Sequence, residues 1–200
     1  MAVKIISIPD GKICDYIDEK FRKDTPEEYV RQTVEKRLVN EHKYLSSQIK
    51  IEFPLALGTL RPRADIVIFD KDAENQTQEH IKIIIECKAE NVDIRNAKDG
   101  VEQLKSYMNI CPNCEWGMWT NSRQKEVLRK YKNDRGQYDY MEYNDIPSAD
   151  GKLEDIDRPK RTPSRTLLMI ICSLFSKPVI IISMPMTGFK SSRHFLSFLK

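Results

Sequence analysis

Apolar and polar positions along the chain follow two periods. Over 25–44, TPEEYVRQTVEKRLVNEHKY, the residues Val30, Val34 and Leu38 recur every fourth position, which predicts a helix with one narrow buried stripe. Its start is well marked: Thr25 as N-cap, Pro26 at N1 and Glu28 at N3, the pattern of a capping box. QIKIEF (48–53) alternates as a half-buried strand does. ADIVIFD (64–70) and IKIIIECK (81–88) are β-rich runs separated by the polar KDAENQTQEH, which predicts a hairpin with a long loop. A second helix is expected over about 97–110, where Val101, Leu104 and Met108 share a face and Cys111-Pro112 ends the run. EWGMWT (115–120) reads as a further strand stopped by the turn-prone Asn121-Ser122, and SRQKEVLRKYK and QYDYMEY as two edge strands. Helix, strands, helix, strands predict an α/β fold on a mixed sheet.

Beyond 145 the pattern fades. DIPSADGKLEDIDRPKRTP (145–163) has the acids and prolines of a linker, and composition changes abruptly over 161–168. The segment 161–200 is apolar and basic, and reads either as a buried hairpin or as the product of a shifted reading frame. A membrane span over Leu167–Met186 is disfavoured. Lys177-Pro178 interrupts it, and a central lysine costs about 2.5–3.5 kcal/mol on insertion. No membrane partner is expected.

Charge changes the picture only once it is divided. The chain of 200 residues has 33 Lys and Arg against 30 Asp and Glu, formally +3. Eight of the basic residues follow the last acid, Asp157, so residues 1–157 carry 25 against 30, formally −5. Bulk charge therefore makes no case for nucleic acid, and such a case must rest on a site. Five scattered cysteines (14, 87, 111, 114, 172) and a start too short in apolar residues for a signal peptide predict reduced thiols in a cytoplasmic setting. No phosphate-cradling glycine loop is present, so nothing argues for nucleoside triphosphate hydrolysis.

Asp65, Glu86 and Lys88 form the informative constellation. Side chains two apart in a strand share a face, so Glu86 and Lys88 project together while Cys87 points the other way. The expected hairpin lays Asp65 beside them. Two carboxylates about 4 Å apart repel by about 4 kcal/mol at an effective dielectric of 20. One lysine offsets this only in part and a divalent cation does better, with Mg²⁺ or Mn²⁺ the ions suited to oxygen ligands and retained waters. The Cys87 carbonyl is a further candidate ligand. The competing reading is a solvated cross-strand charge pair. Gln103 and Tyr107, four apart, stack on one face of the second helix and could hold a base or phosphate. Arg61, Arg63, Lys98, Lys105 and Arg123 flank these residues and are candidate phosphate contacts. Cys111-x-x-Cys114 lacks a second ligand pair for zinc. Trp116, Trp119, Tyr138, Tyr140 and Tyr143 are expected chiefly in the core.

In this order TPEEYVRQ, RPRADIVIFD, IIIECK, EQLKSYM and WGMWTN resemble the N-terminal nuclease domain of type I restriction enzyme R subunits, of the PD-(D/E)xK restriction-endonuclease-like superfamily. The likeness covers roughly 20–125 and extends the expected domain to about residue 160. It implies a restriction-endonuclease-like fold, a mixed β-sheet flanked by helices. It implies Asp65 and Glu86 as metal ligands, Lys88 as the catalytic lysine, and Gln103 and Tyr107 as the family's Q-x-x-x-Y pair. For the helix acid it points to Glu28, with Glu35 as rival. The implied activity is Mg²⁺-dependent endonucleolytic hydrolysis of DNA, with methyltransferase and specificity subunits as further partners; a module that docks onto DNA or subunits without cutting is the alternative. Ala64 stands where the superfamily pattern has proline, and Ser122 where glycine is usual.

Overall fold

A computed structural model describes residues 8–152 and 156–157. The chain divides after Pro159 into two units, and all that follows concerns the first. Most of the expected 145–163 linker beyond residue 152, and all of the 161–200 tail, lie outside the described residues.

The structure is mixed α/β. Strands β1 (Lys12–Cys14) and β2 (Phe21–Lys23) pair as a small hairpin ahead of helix α1 (Pro26–Asn40). Then come β3 (Ile49–Pro54), β4 (Arg63–Phe69), β5 (Ile81–Cys87), helix α2 (Val101–Ile110), β6 (Trp116–Thr120), β7 (Lys125–Lys132) and β8 (Tyr138–Tyr143). The last six strands form one sheet in the order β3-β4-β5-β6-β7-β8, antiparallel except for the β5–β6 pair. That parallel pair requires a crossover, and α2 is the helix that makes it. The architecture is that of a restriction-endonuclease-like fold, a mixed sheet with a helix against each face.

α1 starts where its cap predicts. The Thr25 hydroxyl accepts the Glu28 N–H at 3.2 Å, but the reciprocal half of the capping box gives way because the Glu28 carboxylate is taken by Arg31 and Gln32. Val30, Val34 and Leu38 pack on Ile66, Ile68, Ile83, Ile85 and Met118. On the other face Leu104 and Met108 of α2 meet Val67, Ile84, Trp119 and Leu128. Each such aliphatic side chain contributes about 1.5–3 kcal/mol by leaving water. α2 lies so close to the sheet that a Cβ at Gly117 would run into Met108 Sδ. The helix begins four residues later than expected. Asn96 Oδ1 accepts the Lys98 and Asp99 N–H groups (2.9 Å each), a turn that holds the chain out of helix until Gly100.

Two further differences from the sequence reading have plain causes. β7 lies inside the sheet between β6 and β8, so only β8 is an edge there, and β3 is the other edge. Of the five aromatics expected in the core, Tyr138 is exposed beneath the ammonium groups of Lys130 and Lys132. Among the described residues, no helix is long and apolar enough to cross a membrane.

Candidate functional site

Strand alternation builds the site. Asp65 lies two residues before Val67 on β4, and Glu86 two after Ile84 on β5, so both carboxylates emerge on the α2 face beyond the core residues there. Antiparallel pairing of Ile66 with Ile85 sets Asp65 beside Glu86. The Asp65 N–H donates to Glu86 Oε1 (3.3 Å) and the Cys87 N–H to Asp65 Oδ2 (2.8 Å). Lys88 leaves the strand with its backbone anchored on the Thr120 carbonyl of β6 (2.9 Å). Its Nζ lies 3.2 Å from Glu86 Oε2, 3.8 Å from Asp65 Oδ2 and 3.9 Å from Glu27 Oε1.

Electrostatics follow from burial. Glu86 is 1% exposed; burial first, then the Asp65 charge, push its carboxyl up to about 8 against the pull of Lys88. Asp65 is raised too, by burial, with Lys88 and the Cys87 N–H working against the shift. Burial opposes the charge on Lys88, but Glu86, Asp65 and Glu27 outweigh it and hold the ammonium well above its usual range. Glu27 is raised by burial and by Asp65. From α2, Gln103 Nε2 donates to the Tyr107 hydroxyl (2.9 Å), while Gln103 Oε1 is buried without a partner among the described residues. Burial raises the Tyr107 phenol, and the charges of Glu86, Lys88 and Asp65 reach it.

The structure therefore brings Asp65, Glu86, Lys88, Gln103 and Tyr107 together. Cys87 contributes only its backbone, since its side chain is fully buried on the α1 face. N–H and C=O of one strand residue share an edge, so the Cys87 carbonyl emerges toward β4, as its N–H does. Glu28 does not join. It faces the β1–β2 hairpin, in a buried network with Arg31, Gln32, Asp15 and Glu35. Glu35, the rival, is fully buried in the same network. The helix acid that reaches Lys88 is Glu27, which continues the Val30, Val34, Leu38 stripe backwards to the end of β5 (27, 30, 34, 38). That continuation was the available signal for it. A second unforeseen contributor is Asn121. Its Nδ2 donates to the Val92 carbonyl (2.8 Å) and its Oδ1 accepts the Arg123 and Gln124 N–H groups, tying the loop after Lys88 to the β6–β7 turn. Of the candidate phosphate contacts, Lys105 and Arg123 are engaged by Glu102 and Glu90 (2.7 Å each), and Arg63 touches Glu52 at 3.4 Å.

A cleft of about 740 Å³ is lined by Pro26, Tyr29, Thr33, Ala89, Ser122 and Arg123, which include the chain neighbours of Glu27 and Lys88 but neither residue itself. A cavity of about 430 Å³ at the far ends of β4 and β5, lined by Phe69, Lys82 and Trp116, is remote from these residues. The donor chemistry at Asp65 and Glu86, hard carboxylate oxygens set side by side by the β4–β5 pairing, fits a divalent cation. Among the described residues no group of three or more His, Cys, Asp or Glu is gathered as a ready-made cage. Mg²⁺ does not require one, since it binds through one or two carboxylates with waters and substrate oxygens.

Sheet, crossover helix and paired carboxylates define a restriction-endonuclease-like domain. Residues 26–147 match the family model of the type I restriction enzyme R protein N terminus, and the chain belongs to that family. Membership gives it a role in restriction–modification. No curated protein and no solved structure matches it.

Proposed function

We propose that the domain hydrolyses phosphodiester bonds of DNA with the help of a divalent cation, Mg²⁺ or Mn²⁺, held by Asp65 and Glu86. The observation that carries this reading is the convergence of two carboxylates, the buried Glu86 and the partly buried Asp65, on one ammonium, 3.2 and 3.8 Å from Lys88 Nζ. When bound, such a cation polarises the phosphate and makes a bound water nucleophilic. The rest is the work of the side chains. Lys88, fixed by its backbone bond to β6, presents a permanent positive charge that orients the attacking water and offsets charge developing on the phosphorus oxygens. Glu27 holds the outer side of that ammonium from a half-exposed position where water enters. Gln103 fixes the Tyr107 hydroxyl, whose proton then faces the phosphate. DNA, the methyltransferase and specificity subunits of a restriction system, and a cytoplasmic setting are the partners and place this reading implies.

The full chain is incubated with supercoiled plasmid and Mg²⁺ or Mn²⁺, beside Asp65→Asn and Lys88→Met. Nicking that falls at least about 100-fold in both variants supports the proposal. Nicking that is equal in all three proteins, or missing from the folded parent, favours a docking module that does not cut.

A further inference from the structure

The chain between β3 and β4 reverses in eight residues, 55–62, just before the strand that carries Asp65. Its base is bolted down. Leu55 is fully buried and its N–H donates to the Pro62 carbonyl (2.8 Å). Gln78 accepts the Ala56 N–H (2.6 Å) and donates to the Ile110 carbonyl at the end of α2 (2.8 Å). The tip is braced as well. Leu57 and Leu60 exchange both backbone hydrogen bonds (3.2 and 2.9 Å) across a turn in which Gly58 takes φ +58°, a conformation suited to a residue without Cβ. Arg61 Nη1 then donates to the Gly58 and Leu60 carbonyls (2.9 and 2.8 Å).

A loop held so firmly still leaves Leu60 63% exposed, more than any other large apolar side chain among the described residues. Slack chain could fold such a side chain away; this hairpin cannot. Its own residues carry only positive charge, with Glu52 of β3 lying 3.4 Å from Arg63. Residues 53–64, FPLALGTLRPRA, contain no acid and two arginines, within a body that is acidic overall. Arg63 is 68% exposed and shares the Asp65 face of β4, two residues from that carboxylate. Leu60 is five residues from Asp65, so at about 3.3 Å per residue its backbone lies within about 17 Å. That is about five base-pair steps of 3.4 Å along a duplex.

We infer that this hairpin enters a groove of duplex DNA within about five base pairs of the phosphate held at the candidate site, Leu60 packing on sugars and base edges and Arg61 and Arg63 contacting the flanking phosphates. The identity of the ligand rests on the nuclease reading above. An apolar tip between arginines is the chemistry of groove insertion, in which the leucine displaces groove water and the guanidinium groups replace phosphate counterions.

The two contributions separate by salt. Binding of a labelled 30-base-pair duplex to the full chain is measured by fluorescence anisotropy in calcium buffer, over a series of sodium chloride concentrations. Leu60→Ser is expected to weaken binding about 5–10-fold at every salt concentration, leaving the slope of log K against log salt unchanged. Arg63→Gln is expected to flatten that slope by about one. Both positions are exposed, and far-ultraviolet circular dichroism checks that the fold is kept. Variants that bind and respond to salt as the parent does overturn the hairpin inference, and a parent that still nicks plasmid keeps the nuclease reading standing. A parent that neither binds duplex nor nicks plasmid overturns both.

Discussion

Glu35 offers the sharpest test of the electrostatics. Its carboxylate is fully buried on α1, neither oxygen has a hydrogen-bond partner among the described residues, and Arg31 Nε lies 3.6 Å away. Burial, then the Asp15 charge, push its carboxyl from an ordinary 4.5 to about 8, although Arg31 pulls it down. Between those two values the folded state binds a proton that the unfolded state has lost, so the stabilisation is complete below about pH 4.5 and drains away as pH rises through about 8. At about 1.4 kcal/mol per pK unit, the loss between pH 5 and pH 9 is about 4 kcal/mol. Glu35→Gln keeps the shape of the side chain and cannot ionise. Urea unfolding of parent and variant at pH 5, 7 and 9 should show the variant gaining about 4 kcal/mol on the parent across the series. Asp65 and Glu86 titrate in both proteins and cancel in the difference. A gap that stays constant with pH to within about 0.5 kcal/mol would refute the argument from burial.

Three other substitutions probe the scaffold. Gly117→Ala places a methyl against Met108 Sδ and 3.1 Å from Leu104 Cδ1, and overpacking of this kind costs about 1–3 kcal/mol in urea unfolding. Since α2 carries Gln103 and Tyr107, plasmid nicking should fall with it, and unaltered nicking would uncouple the helix from the site. Ser122 sits at φ +71° in the turn where the resembling family has glycine, so Ser122→Gly should raise the urea midpoint, by about 0.5–1 kcal/mol in stability; no gain would dismiss the strain. Lys130 is buried and its Nζ donates to the Met108 and Cys111 carbonyls (2.6 and 2.8 Å) at the end of α2. Lys130→Met should cost about 2–3 kcal/mol and speed amide exchange in the last turn of that helix, whereas unchanged exchange would mean that the lysine does not cap it.

Most strands and the start of α1 were legible because local physics decides them. Thr25-Pro26 satisfies and removes orphan N–H donors without help from the rest of the chain. The run IKIIIEC can be buried on both faces only in a central strand, where β5 lies. Asp65, Glu86 and Lys88 were legible for the same reason, since period-two alternation and one hairpin suffice to join them. What escaped depends on distant partners. The β1–β2 hairpin, with three-residue strands, is secured by contacts such as that of Gln32 Nε2 with the Cys14 carbonyl (2.9 Å). The delayed start of α2 turned on one asparagine side chain.

The choice between neighbouring glutamates shows where the limit lies. Glu28, Arg31, Gln32 and Glu35 form a polar face of α1 that is nonetheless buried, which a reading of helical period assigns to solvent. Arg31 holds that face, within reach of Glu28, Glu35, Asp15 and Glu52. With its acids spent on Arg31, this face has none to give the site, and Glu27 is the one that reaches over. Three carboxylates then face one ammonium, a balance that repels a phosphate unless positive charge is brought in. On the proposed reading a divalent cation would bring it to the reacting phosphate, and on the inferred one Arg61 and Arg63 would bring it to the neighbouring ones. If the proposal holds, an acidic domain would bind a polyanion at one end of its sheet while the bulk of its surface stays repulsive, which would confine the strand to the place where Lys88 stands.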